Sequence, residues 1–166
     1  MENQAQYLRK QIRRTIVFFI IALILSGITA FPIETQLELI STRMALPYTL
    51  QRWIDAVYLA VKNTNDLYPY LSYGTDWLAF AHLVIAAAFI GPLKDPVRNI
   101  WVIQFGMIAC VMVFPLAFIA GSVRGIPFYW QLIDCSFGVI GFFVLYYCYR
   151  KILALEKATQ DSPLTA

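Results

Sequence analysis

Four apolar stretches of about 20 residues, the last three separated from one another by only six residues each, constrain this chain more than any motif in it. A helix crossing the ~30 Å hydrocarbon layer of a bilayer needs about 20 mostly apolar residues, and residues 15–33, 75–93, 100–121 and 128–149 each meet that requirement. The connections 94–99 (KDPVRN) and 122–127 (SVRGIP) only leave room to reverse the chain, so the last three spans are expected to run antiparallel. Composition agrees. The chain is 60% apolar and 14% charged with a mean hydropathy of +0.63, whereas soluble domains carry about a quarter charged residues. An ordinary cytosolic domain and a disordered tail are excluded. The expected fold is an all-α membrane protein: one domain over residues 1–166, four transmembrane helices in an antiparallel bundle, and an outer amphipathic helix.

The net charge of +3 is small and one-sided, which argues against nucleic acid as a partner and for membrane lipids. Lys and Arg are retained on the cytoplasmic side. With the N-terminus inside, Arg9, Lys10, Arg13, Arg14, Lys94, Arg98, Arg150, Lys151 and Lys157 fall on the inner face, against Arg43, Arg52, Lys62 and Arg124 outside. Both termini are therefore expected to be cytoplasmic, in a bacterial inner membrane. A signal-peptidase cut after Ala30 would put Ile28 three residues before it and Pro32 just beyond, so the first span is expected to stay as an uncleaved anchor.

Residues 34–74 are too polar to span and too long for a turn, and form an extracytoplasmic loop. Within it Leu50, Trp53, Val57, Tyr58 and Val61 recur at helical spacing, with Gln51, Arg52, Asp55, Lys62 and Asn63 off that stripe. This predicts an interfacial helix that starts near Pro47 and Thr49 and ends at residues 63–66, where it either lies among the headgroups or caps the bundle. Tyr68, Tyr70, Tyr73 and Trp77 before the second span, Tyr129 and Trp130 at the start of the fourth, and Tyr146, Tyr147 and Tyr149 at its end read as interfacial belts.

Small and polar residues mark the faces that meet in lipid: Ala22, Ser26 and Ala30; Thr75, Ala79, His82 and Ala86; Gly106, Cys110, Ala117 and Gly121; Gln131, Asp134, Cys135, Gly138 and Gly141. Pro115 removes a backbone donor inside the third span and bends it, either to open a pocket or to fit a neighbour.

Ionisable groups in a bilayer face a protein interior or a wet cavity. His82 and Asp134 each lie about six residues, roughly 9 Å, past the outer start of their spans. Gln131 stands one turn above Asp134, and Glu34, Asp76, Arg124 and Thr29 approach the same outer layer. These seven residues are the candidate ligand-binding set. The plainer reading is an interhelical hydrogen bond between His82 and Asp134. One histidine and no close cysteine pair do not make a zinc set, Cys110, Cys135 and Cys148 read as buried free thiols, and no metal site and no cofactor are expected.

The run LSGITAFP at 25–32, with GTDW at 74–77 and RGIP at 124–127, resembles a group of small bacterial four-span membrane proteins to which no activity is attached. The resemblance spans most of the chain. In architecture the chain is also similar to the EXPERA group, with four spans, cytoplasmic termini and a long first outer loop, although the acidic and histidine motifs of that group are not matched residue by residue. Three functions stay open at this point. The first is binding of a lipid or small amphiphile in the outer-leaflet pocket, or service as an accessory membrane subunit. The second is a small enzyme, of isomerase or lipid-modifying type, using His82 and Asp134 as acid and base. The third is an oligomeric transporter or channel protomer, with a homo-oligomer or another membrane protein as partner; no inverted repeat supports it.

Overall fold

Hydrocarbon supplies no water to backbone N–H and C=O groups, so a spanning segment must pair them within itself, and in this chain helices do so. The computed structural model describes residues 2–160, and among the described residues there is no strand. The order is α1 (Glu2–Ala30), α2 (Ile33–Arg43), α3 (Tyr48–Leu67), a 3₁₀ turn (Pro69–Leu71), α4 (Tyr73–Ala88), α5 (Ile90–Lys94), α6 (Ile100–Pro115), a π turn (Leu116–Ala120), α7 (Gly121–Val123) and α8 (Phe128–Gln160). Four stretches are long and apolar enough to cross a membrane: Asn3–Ala30, Pro69–Lys94, Ile100–Val123 and Phe128–Gln160. The all-α membrane fold expected from the sequence is the fold observed.

The chain divides into two compact units, Met1–Ile21 with Ala86–Ala166, and Ala22–Ile85. In the first unit α6 and α8 approach so closely that glycine is required at their contacts. A Cβ at Gly138 would stand 2.7 Å from the Cys110 carbonyl oxygen, and one at Gly141 would stand 2.9 Å from Cys110 Sγ. At Gly106 it would meet Leu145 Cδ1 at 2.7 Å and Phe89 Cζ at 3.0 Å. Lipid gives no hydrophobic drive for helix association, so this close backbone approach is what holds the pair. The core continues past the apolar runs: Leu8 and Ile12 on α1 and Ile152 and Leu155 on α8 are buried, as are Ile16 and Cys148 just within the runs. Phe89 is buried as well, its ring 4.8 Å from that of Phe19.

In the second unit the segment 34–74 holds two helices rather than one. Pro47 stands at the N-cap of α3, as its sequence suggests, and the helix runs to Leu67. The polar flank of α3 is used against α2. Ser41 Oγ donates to Asp55 Oδ1 at 2.6 Å, and Gln51 Nε2 donates both to Asp55 Oδ1 at 2.9 Å and to the Ser41 carbonyl at 3.1 Å. Leu37 and Ile54 are the buried apolar residues of the pair. Farther along, Asn65 Nδ2 donates to Glu34 Oε2 and Ser72 Oγ donates to Asn65 Oδ1, which links the start of α2, the last turn of α3 and the entry to α4. The α1 segment of this unit meets α4 at Gly27, where a Cβ would lie 2.8 Å from the Ala79 carbonyl oxygen.

Gly138→Ala should lower stability in detergent by about 1–3 kcal/mol, because the Cys110 carbonyl cannot retreat without moving α6. Gly74→Ala, which adds a methyl group where nothing lies within 4 Å, should be neutral or stabilise by up to about 1 kcal/mol; thermal unfolding of the two purified variants checks both. Asp55→Ala strands the Ser41 and Gln51 donors. It should speed amide hydrogen exchange across 33–67 by about tenfold, for a loss of roughly 1–2 kcal/mol, and leave exchange in α8 unchanged.

Candidate functional site

The hydrogen-bonding groups of the spans are mostly spent on their own helices. Thr15 Oγ1 donates to the Gln11 carbonyl, Thr29 Oγ1 to the Leu25 and Ser26 carbonyls at 2.7 and 3.2 Å, and Ser136 Oγ to the Ile133 carbonyl. Such back-bonding spends the hydroxyl hydrogen on the helix itself and leaves the oxygen able to accept.

Departure from a regular helix occurs after Pro115. The backbone widens into the π turn Leu116–Ala120, passes through α7, and reverses at Gly125, whose φ of +69° is open to glycine and strained for other residues. The reversal is closed by Ile126 N–H to the Gly121 carbonyl at 2.9 Å and by Gly125 N–H to the Ser122 carbonyl at 3.2 Å. Gln131, in the first turn of α8, lays its amide against Gly121: a Cβ there would be 3.0 Å from Gln131 Cγ and Cδ. Its Nε2 donates to the Ile126 carbonyl at 2.8 Å. Gln131 is 4% exposed, and its Oε1 is buried with no hydrogen-bond partner among the described residues. A buried orphan acceptor of this kind costs about 1–3 kcal/mol unless something donates to it.

Beside this amide, Val113, Leu116, Ala117, Ala120, Gly121, Arg124, Ile126 and Asp134 line an open recess of about 290 Å³. Its walls are aliphatic and its two charged side chains are opposite in sign. Asp134 is half-buried and Arg124 is exposed. Arg124, Gln131 and Asp134, three of the seven residues expected from the sequence, are therefore brought to one place in the first unit. Pro115 stands between Val113 and Leu116, both of which line the recess.

The other four lie in the second unit. His82 Nδ1 is 2.8 Å from the Leu78 carbonyl, so Nδ1 carries the hydrogen in that contact and Nε2 is left to accept. Its Cβ borders Gly27, and the ring is half-buried. Glu34 is engaged by Asn65, and Asp76 occupies the first turn of α4, where its charge complements the helix N-terminus. The Ser41, Gln51 and Asp55 cluster was not singled out as a site by sequence; the one available signal was the i, i+4 spacing of Gln51 and Asp55.

The loop 94–99 is a tied turn. Asn99 Nδ2 donates to the Gly91 and Asp95 carbonyls, and Asp95 Oδ1 accepts the Arg98 N–H. Among the described residues no group of three or more His, Cys, Asp or Glu side chains is placed to hold a metal ion, and Cys110, Cys135 and Cys148 are free thiols. Comparison of the chain with protein-family models, with curated proteins and with solved structures returned no match.

Gly121→Ala should displace the Gln131 amide and break its bond to the Ile126 carbonyl, at a cost of about 1–3 kcal/mol. Gln131→Ser should relieve that clash, so the double variant should be less destabilised than the sum of the two single variants by at least about 0.5 kcal/mol, measured as a thermal-unfolding cycle.

Proposed function

We propose that this protein binds a membrane amphiphile in the recess between the π turn and the start of α8, with a headgroup that carries both an ammonium and an anion. The observation that carries this reading is the pairing of one acid and one base across an otherwise aliphatic recess, beside a buried acceptor without a donor. Asp134 lies about 9 Å along α8 from its start at Phe128, and Arg124 lies in the connection before that helix. An ammonium directed to Asp134, with a phosphate directed to Arg124, satisfies both charged groups of the recess. The aliphatic walls take the first methylenes of the chains. Charged or polar groups at this depth are retained in membrane proteins for a site or a path rather than for packing alone.

The protein is further proposed to reside in a bacterial inner membrane with both termini in the cytoplasm. The distribution of basic residues supports the orientation, and it puts the recess in the outer leaflet. Four helices long and apolar enough to cross a membrane support the membrane assignment.

Native mass spectrometry of the purified protein with phosphatidylethanolamine and phosphatidylcholine tests the reading, because only the former has N–H donors. Phosphatidylethanolamine should be retained about tenfold better, the difference expected of a charge-assisted hydrogen bond worth about 1.5 kcal/mol. Asp134→Asn should abolish that preference, and Arg124→Gln should weaken both lipids alike. Equal retention of the two lipids by the unaltered protein, or a preference untouched by Asp134→Asn, overturns it.

A further inference from the structure

Two more grooves lie in the first unit, near the N-terminal end of α1. One, of about 500 Å³, is formed by Arg14, Thr15 and Phe18 of α1 and by Phe143, Val144 and Tyr147 of α8. The other, of about 460 Å³, runs along α1 from Lys10 and Arg13 to Ile21. Both are open surface grooves, and they share Arg14 and Phe18. These two side chains therefore form a ridge with a groove on each flank. Along α8, Tyr147 lies 13 residues from Asp134, roughly 20 Å, so this is a site apart from the recess.

The chemistry is ordered along the helix axis. Lys10, Arg13, Arg14, Val17, Phe18 and Ile21 follow the i, i+3, i+4 spacing of one helix face, basic for the first turn and apolar for the next two. No acidic residue lines either groove, and among the described residues no ion pair engages Lys10, Arg13 or Arg14. Lys151 adds a fourth cation at the same end, its ammonium 5.2 Å from the centre of the Tyr147 ring. A site with cations at one end and two apolar troughs below fits a phospholipid standing parallel to α1.

We propose that this ridge binds one dianionic, four-chain phospholipid of the cardiolipin type. Its two phosphates lie over the Lys10, Arg13 and Arg14 cluster, and its two pairs of chains straddle Phe18, one pair in each groove. A lipid with a single phosphate and two chains fills one groove and leaves the other empty, which is why the doubled lipid is the committed occupant.

The test is a lipid titration of the full chain in detergent, followed by native mass spectrometry, with cardiolipin and phosphatidylglycerol compared at equal phosphate. Cardiolipin should bind at least tenfold more tightly than phosphatidylglycerol. The triple variant Lys10→Gln, Arg13→Gln, Arg14→Gln should bind cardiolipin about 100-fold more weakly, at roughly fivefold per basic residue near a lipid surface. The variant Lys94→Gln, Arg98→Gln, Lys157→Gln removes the same net charge away from the grooves and should stay within threefold. Val144→Trp fills one flank and should bring cardiolipin down to the level of phosphatidylglycerol. Thermal unfolding without added lipid identifies any variant whose fold is lost, and Arg14→Gln alone then serves in place of the triple variant, with a fivefold loss expected. Equal binding of the two lipids by the unaltered protein overturns the proposal. Equal losses in the two triple variants overturn it too, since binding would then follow diffuse surface charge.

Discussion

A bilayer leaves the backbone with no solvent partner, and everything else in this protein follows from how that requirement is met. Helices satisfy it along the spans. At the reversals the chain recruits side chains for the same purpose: Asn99 serves the Gly91 and Asp95 carbonyls in one short connection, and Gln131 serves the Ile126 carbonyl in the other. The two amides differ in one respect. Asn99 occupies a turn outside the apolar run, whereas Gln131 is enclosed and keeps an unanswered oxygen beside a recess. The same backbone requirement places the amide beside the recess: Gln131 Nε2 answers the Ile126 carbonyl, and its Oε1 is left buried without a donor among the described residues.

Packing in the spans depends on missing side chains. Gly106, Gly138 and Gly141 are contact points between α6 and its neighbours because any Cβ would overlap a neighbouring backbone or side-chain atom. Hydroxyl groups return to their own helices, and the three thiols are left unpaired. Few polar atoms remain uncommitted in the spans, and this scarcity is what makes Asp134, Gln131 Oε1 and His82 Nε2 conspicuous.

Much of this was legible in the residues, and for stated physical reasons. Hydropathy locates spans because the bilayer imposes a length, and Gly138 and Gly141 mark an interface because lipid cannot drive one. Helix ends were less legible. The apolar runs begin at 15 and end at 149, but α1 starts at Glu2 and α8 continues to Gln160, since Leu8, Ile12, Ile152 and Leu155 bury themselves outside those runs, where the sequence is of mixed polarity. The segment 34–74 looked like one amphipathic helix with a solvated flank; α2 is only 11 residues long, and beside the short apolar stripe Ile33, Leu37 and Ile40 its contact with α3 is made by Ser41 against Gln51 and Asp55, which are polar. Of the candidate site, Arg124, Gln131 and Asp134 were read from depth and spacing. The recess itself was not, because a π turn leaves no signature in composition.

That π turn has a consequence for how the chain tolerates change in length. Deleting one residue from an α-helix rotates everything after it by about 100° and turns its packing face away. A π turn holds one residue more than the α turn it replaces. Within the third span, Leu116–Ala120 is therefore the segment where a single deletion can be absorbed by tightening the coil, with the glycine and cysteine contacts upstream and the α8 reversal downstream keeping their faces. The same turn supplies Leu116, Ala117 and Ala120 to the recess, so a change of length there bears on the cavity before it bears on the packing faces of the span.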